Sequence, residues 1–128
     1  MHLSEAYTLM GGEVVLRRLV ECFYDLMDED PDYFGIRKLH PQELNSSRQK
    51  LFMFLSGWTG GPSLYVEKYG EPRLRSRHLP FSIGIAERDQ WLSCMNSAME
   101  KIGLEIQLRK SLALAFEQTA DFMRNQPE

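Results

Sequence analysis

Residues 13–27 carry two apolar stripes side by side at helical spacing. Val15, Leu19, Phe23 and Leu26 form one, and Leu16, Val20, Tyr24 and Met27 form the other. A helix with two adjacent apolar stripes is buried over much of its circumference, so this segment predicts the centre of a packed helical body. The remaining segments also read as helices, and glycine and proline separate them. A short first helix over about 4–10 stops at Gly11-Gly12, and Asp28-Glu29-Asp30-Pro31 breaks the second. Residues 32–40 are turn-rich. The next helix starts between Pro41, which suits a first helical position, and Ser46, which opens a capping box through Gln49. Leu44, Leu51, Phe54, Leu55 and Trp58 give it one apolar face, and Gly60-Gly61-Pro62 ends it. A loop with one helical turn near 64–68 leads to a segment ending in His78. Trp91, Leu92, Met95, Met99 and Ile102 mark a helix over 85–102 that Gly103 closes. Leu108, Leu112, Ala115, Phe116 and Phe122 mark a last one over 105–124, and residues 125–128 are expected to fray. No stretch alternates apolar and polar residues long enough to make a strand, so the fold class is all-α.

The chain has 128 residues, enough for one domain with a real core, and residues 1–128 show no repeat, linker or low-complexity tract. Its 43% hydrophobic and 26% charged residues are those of a globular protein. The net charge is −3 and the cations are scattered, whereas binding a phosphate backbone needs a concentrated basic face. Nucleic acid is therefore not an expected partner. No apolar run approaches the roughly 20 residues of a membrane span, so no membrane association is expected. Met1-His2-Leu3-Ser4-Glu5 lacks the basic-then-apolar pattern of a signal peptide. Cys22 and Cys94 lie far apart inside helical patterns and read as small core residues of a cytoplasmic protein.

His78 stands in Arg77-His78-Leu79-Pro80-Phe81, where Pro80 forbids the helix from continuing. A neutral imidazole is a strong iron ligand, and haem proteins often use one on the proximal side. The competing reading is a histidine capping a short helix. Phe81 and Ile83 are placed to cover a flat aromatic ligand, and Arg77 to pair with a carboxylate on its edge. Zinc is a poor competitor, because structural sites need four ligands and catalytic sites usually three. His2, His40, His78, Cys22 and Cys94 show no paired spacing. Gly57-Trp58-Thr59-Gly60-Gly61 lacks the lysine of a phosphate loop. Tyr24, His40 and Trp91 are polar-tipped residues in apolar settings. Singly each reads as a core aromatic; together they are the donors that would steady a partly negative bound dioxygen.

The specific pattern is Gly11-Gly12, Phe23-Tyr24, Leu51 with Met53-Phe54-Leu55, Gly60-Gly61-Pro62, Tyr65, Pro72-Arg73-Leu74-Arg75, Arg77-His78-x-Pro80-Phe81, and Glu87-Arg88-Asp89-x-Trp91-Leu92-x-Cys94-Met95. In this colinear order the chain resembles the group II (O-type) truncated haemoglobins. The match runs from about Tyr7 to Met99 and is weaker through the last helix. The resemblance implies a globin-like 2-on-2 helical sandwich around haem b (iron protoporphyrin IX). It implies His78 as the proximal iron ligand and Tyr24 and Trp91 as distal donors. His40 falls at the distal edge, where other members carry a tyrosine, and Ser47 at a distal position usually held by a small residue, where other members carry an alanine. Leu51, Phe54 and Met95 would line the pocket with Phe81 and Ile83, and Lys50, Tyr65 and Arg77 would approach the propionates. From this we expect His40 to donate to the ligand or to the Tyr24 hydroxyl.

A family member of this kind binds dioxygen, carbon monoxide, nitric oxide or similar small ligands at a five-coordinate iron. The alternative is a haem redox enzyme, oxidising nitric oxide or using peroxide with an external reductase. A third reading is a helical interaction module without cofactor.

Overall fold

The computed structural model describes residues 2–127, and every regular element among them is helical. The α-helices are α1 Ala6–Met10, α2 Glu13–Glu29, α3 Phe34–Arg37, α4 Asn45–Trp58, α5 Leu64–Tyr69, α6 Leu74–His78, α7 Ile85–Lys101 and α8 Ile106–Phe122. Short 3-10 turns, Leu3–Glu5 and Pro31–Tyr33, precede α1 and α3.

Helix α2 buries Leu16, Leu19, Val20, Phe23, Tyr24 and Met27 from its two stripes, while Val15 and Leu26 are half-buried. It packs on α4 along one side and on α7 along another, and α7 pairs with α8. The result is a two-over-two sandwich, α2 with α4 and α7 with α8, whose seam is α2 against α7. Leu16, Phe23, Leu55, Met95, Met99 and Leu112 lie in the core with less than 2% of their surface exposed. Each such side chain contributes about 1.5–3 kcal/mol of burial free energy.

Helix α4 starts at Asn45, inside the expected window from Pro41 to Ser46, though neither of those residues opens it. Its N-cap is Leu44, which makes no side-chain cap bond but is buried at 7% exposure. Anchoring of Leu44 in the core, with its carbonyl accepting from the Arg48 N–H at 2.8 Å, sets the start in place of a polar cap. The later helices are capped by carboxylates. Glu87 accepts from the Gly84 N–H at 2.7 Å, and Glu105 from the Leu108 N–H at 3.0 Å.

The end of α4 explains its double glycine. Gly60 has φ +96°, and a Cβ there would also run into the Ser4 carbonyl. Gly61 needs no left-handed backbone; a side chain there would collide with the Tyr7 ring. The two segments lie against each other, with the Tyr7 N–H donating to the Thr59 carbonyl at 2.9 Å.

The chain end departs from expectation. Asn125 does not fray: its N–H donates to the Ile83 carbonyl at 2.8 Å, and Met123 before it is buried. Long-range polar bonds hold this segment, and they leave no periodic trace in a sequence.

Candidate functional site

Helix α6 is five residues long and ends in His78. The His78 Nδ1 donates to the Leu74 carbonyl at 2.6 Å. A carbonyl can only accept, so the proton is on Nδ1 and the Nε2 lone pair is free for a metal. Donation to a carbonyl also fixes the ring orientation and raises its basicity. The Phe81 N–H closes the following turn on the His78 carbonyl at 3.0 Å. Pro80, which has no N–H to offer, sits inside that turn.

Tyr24 from α2 and Trp91 from α7 both pack on Phe23, with ring centroids 5.0 and 5.2 Å away. Phe116 of α8 backs Trp91 at 5.4 Å. Burial pushes the Tyr24 phenol well above its ordinary range, so it stays protonated and able to donate at neutral pH. Among the described residues, neither the Tyr24 hydroxyl nor the Trp91 indole N–H has a hydrogen-bond partner. Neither is sealed away: the sealed, unpartnered side-chain polar atom among these residues is Nε of Arg124.

His40 meets Tyr24 edge to face, with centroids 5.7 Å apart. Its Nδ1 donates to the Ile36 carbonyl at 2.8 Å. Burial lowers its pKa, the bond to Ile36 opposes that, and the charges of Arg37 and His78 add to the lowering. A neutral His40 with Nδ1 protonated has only an acceptor at Nε2. The expectation that His40 donates is therefore corrected: its Nδ1 proton is committed to the Ile36 carbonyl, and Nε2 of the neutral ring carries none. Arg37 holds the loop that carries it, donating to Asp28 at 2.8 Å and to the Pro41 and Gln42 carbonyls at 2.9 and 2.7 Å.

Cations gather along one edge. The Arg77 guanidinium lies 5.8 Å from the Tyr65 ring centre, and Tyr65 lies 4.9 Å from Tyr69. Lys50 and Lys68 approach Tyr69 at 5.8 and 5.4 Å. Phe54 meets Tyr65 edge-on at 6.3 Å, and Leu51 is partly buried beside the core. Ser47 and Ile83 are half-buried, and Phe81 is exposed. Met95 is fully enclosed, so it backs the wall from within the core and offers no surface to a ligand.

Sequence reasoning missed Lys68, which α5 brings beside Tyr69; a cation one residue before an aromatic is too common a pattern to single out. It missed Arg48, whose guanidinium bridges from α4 to Glu21 and Asp25 of α2 at 3.0 and 2.9 Å. It also missed Arg75, which donates to the Phe122 and Arg124 carbonyls at 2.8 and 3.0 Å.

These residues fit the haem that the resemblance implies. One imidazole offers a lone pair, two donors lack protein partners, aromatic side chains supply the walls, and cations line one edge. No three His, Cys, Asp or Glu side chains among the described residues gather as a metal cluster. A separate groove of about 790 Å³ runs along α2 between Glu13 and Glu29 and shares none of these groups.

The profile of the bacterial-like globin family matches residues 5–125. The group 2 truncated haemoglobin YjbI of Bacillus subtilis is 42% identical over 117 residues, covering 91% of this chain and 86% of its own. The structure of a cold-adapted truncated haemoglobin from Pseudoalteromonas haloplanktis superposes with a TM-score of 0.92 at 42% identity, covering 94% of this chain and 98% of its own. That of a truncated oxygen-avid haemoglobin from Bacillus subtilis superposes at 0.87 with 40% identity, over 94% and 98%. The chain belongs to the bacterial-like globin family, and within it to the group II truncated haemoglobins.

Proposed function

We propose that this chain binds haem b through Nε2 of His78 and holds dioxygen or a related diatomic gas opposite it. The observation that carries the reading is the His78 tautomer: Nδ1 is committed to the Leu74 carbonyl, so Nε2 is the free ligand atom. Ferrous haem, when bound, supplies the centre where a diatomic ligand is held and polarised. The chain supplies the rest. Tyr24 and Trp91 donate toward a partly negative ligand in an apolar setting, where each charge-assisted hydrogen bond contributes about 1.5–3 kcal/mol. His40 packs edge to face against the Tyr24 ring and helps hold it in place. Lys50, Lys68 and Arg77 hold propionate carboxylates at the cationic edge.

Strong donors slow ligand release, which suits redox chemistry or sensing better than delivery. The oxygen-avid homologue supports this direction. Nitric oxide oxidation or peroxide use would need an external reductase. No helix among the described residues is long and apolar enough to cross a membrane. Cys22 and Cys94 are free thiols, which suits a reducing cytoplasm.

Trp91→Phe keeps a ring against Phe23 and Phe116 and removes the N–H. Dioxygen dissociation, followed by stopped flow, should then quicken about tenfold to a hundredfold. An unchanged rate would reject the role given to Trp91. Turnover with a supplied reductant separates reversible binding from nitric oxide oxidation.

A further inference from the structure

We propose that Asn125, near the end of the chain, is a positioning residue that sets where the proximal imidazole stands; the inference rests on reading His78 as the iron ligand. Helix α6 has no fully buried side chain, so packing against the protein fixes it weakly. It also starts from Arg73 in a left-handed conformation, φ 47°, with no side-chain cap. Polar bonds from the chain end supply what packing does not.

The Asn125 side-chain amide is engaged at both its nitrogen and its oxygen. Its Nδ2 donates to the Phe81 carbonyl at 2.7 Å and to the carbonyl of His78 itself at 3.2 Å. Its Oδ1 accepts from the Ile83 N–H at 2.9 Å. The amide orientation is forced, because carbonyls only accept and a backbone N–H only donates. The main-chain N–H groups of Asn125 and Gln126 both reach the Ile83 carbonyl, at 2.8 and 3.1 Å. Arg75, in the first turn of α6, donates to the Phe122 and Arg124 carbonyls. The end of α8 thus grips α6 near its start and the 78–83 turn along its length.

The consequence is geometric. The Leu74 bond sets the rotation of the His78 ring, and Asn125 sets the main chain from which that ring projects. Together they define how closely Nε2 can approach a metal. Asn125→Asp is the sharpest probe, because it keeps the acceptor toward Ile83 and turns the donor into a carboxylate oxygen facing two carbonyls.

The experiment is resonance Raman spectroscopy of the iron–histidine stretch in the haem-loaded, ferrous, ligand-free protein. Asn125→Asp and Asn125→Ala should shift and broaden the band relative to wild type. Arg75→Gln, which releases the grip without touching the turn, should shift it less. Gln126→Ala, which leaves the main-chain bond in place, should keep the wild-type band. A merely structural role would lower the melting temperature and leave the band where it is. An unmoved band in both Asn125 variants overturns the inference. His78→Gly separates the two levels: if the band survives there, the proximal reading fails and this inference with it. If it vanishes there yet stays unmoved in the Asn125 variants, only the positioning role fails.

Discussion

The two sides of the candidate site are built by different physics. On the distal side, Tyr24 and Trp91 project from long helices at the centre of the core and share the fully buried Phe23 as backing. On the proximal side, His78 ends a five-residue helix with no fully buried side chain, and hydrogen bonds from residues more than forty positions away tie it down. Packing positions the donors; polar tethers position the imidazole. A dense core holds its side chains in fixed, interdigitated rotamers. A tethered short helix leaves a group that a small number of bonds can move.

The comparison can be broken most easily by truncating each side. Phe23→Ala should cost about 3–5 kcal/mol, because its cavity opens among residues that cannot collapse. Leu79→Ala, at 56% exposure on the proximal side, should cost under about 0.5 kcal/mol. Urea unfolding of the two variants measures both, and equal losses would erase the distinction.

A smaller effect sharpens the distal half. Tyr24→Phe removes only a hydroxyl and keeps the ring against Phe23. Dioxygen release should quicken by about tenfold, near 1.4 kcal/mol, with little change in the unfolding midpoint. A large stability loss with unchanged release would make Tyr24 a packing residue.

The smallest effect concerns His40. Its pKa is lowered in the folded state, mainly by burial. The folded protein therefore binds fewer protons at this residue than the unfolded chain does. The stability from keeping it neutral is complete above the unfolded value of about 6.5 and declines as pH falls from there toward the folded value. Between pH about 7.5 and about 5.5, wild type should lose more stability than His40→Gln, as read by urea midpoints. Equal losses would show that His40 titrates as it does in the unfolded chain.

The same division explains what was legible in the sequence. The stripes on residues 13–27 predicted a buried α2, and Gly60-Gly61-Pro62 placed the end of α4, because burial and backbone freedom leave local marks. Tyr24 and Trp91 came together through helical periodicity and the resemblance. The start of α4 was bracketed between Pro41 and Ser46 but not fixed, because Leu44 anchors it through the core while Pro41 and Ser46 carry the local signals. The His40 tautomer depends on a carbonyl four residues back, which only three-dimensional geometry aligns. Asn125 read as a frayed end because its partners lie at positions 78–83.

The most direct test is the absorption spectrum of ferrous, gas-free protein after haem titration, recorded for wild type and His78→Gly. The account predicts a five-coordinate Soret band in wild type, its loss or displacement in His78→Gly, and its return when imidazole is added. A colourless wild type, or a His78→Gly spectrum identical to it, would contradict the claim that His78 carries the iron.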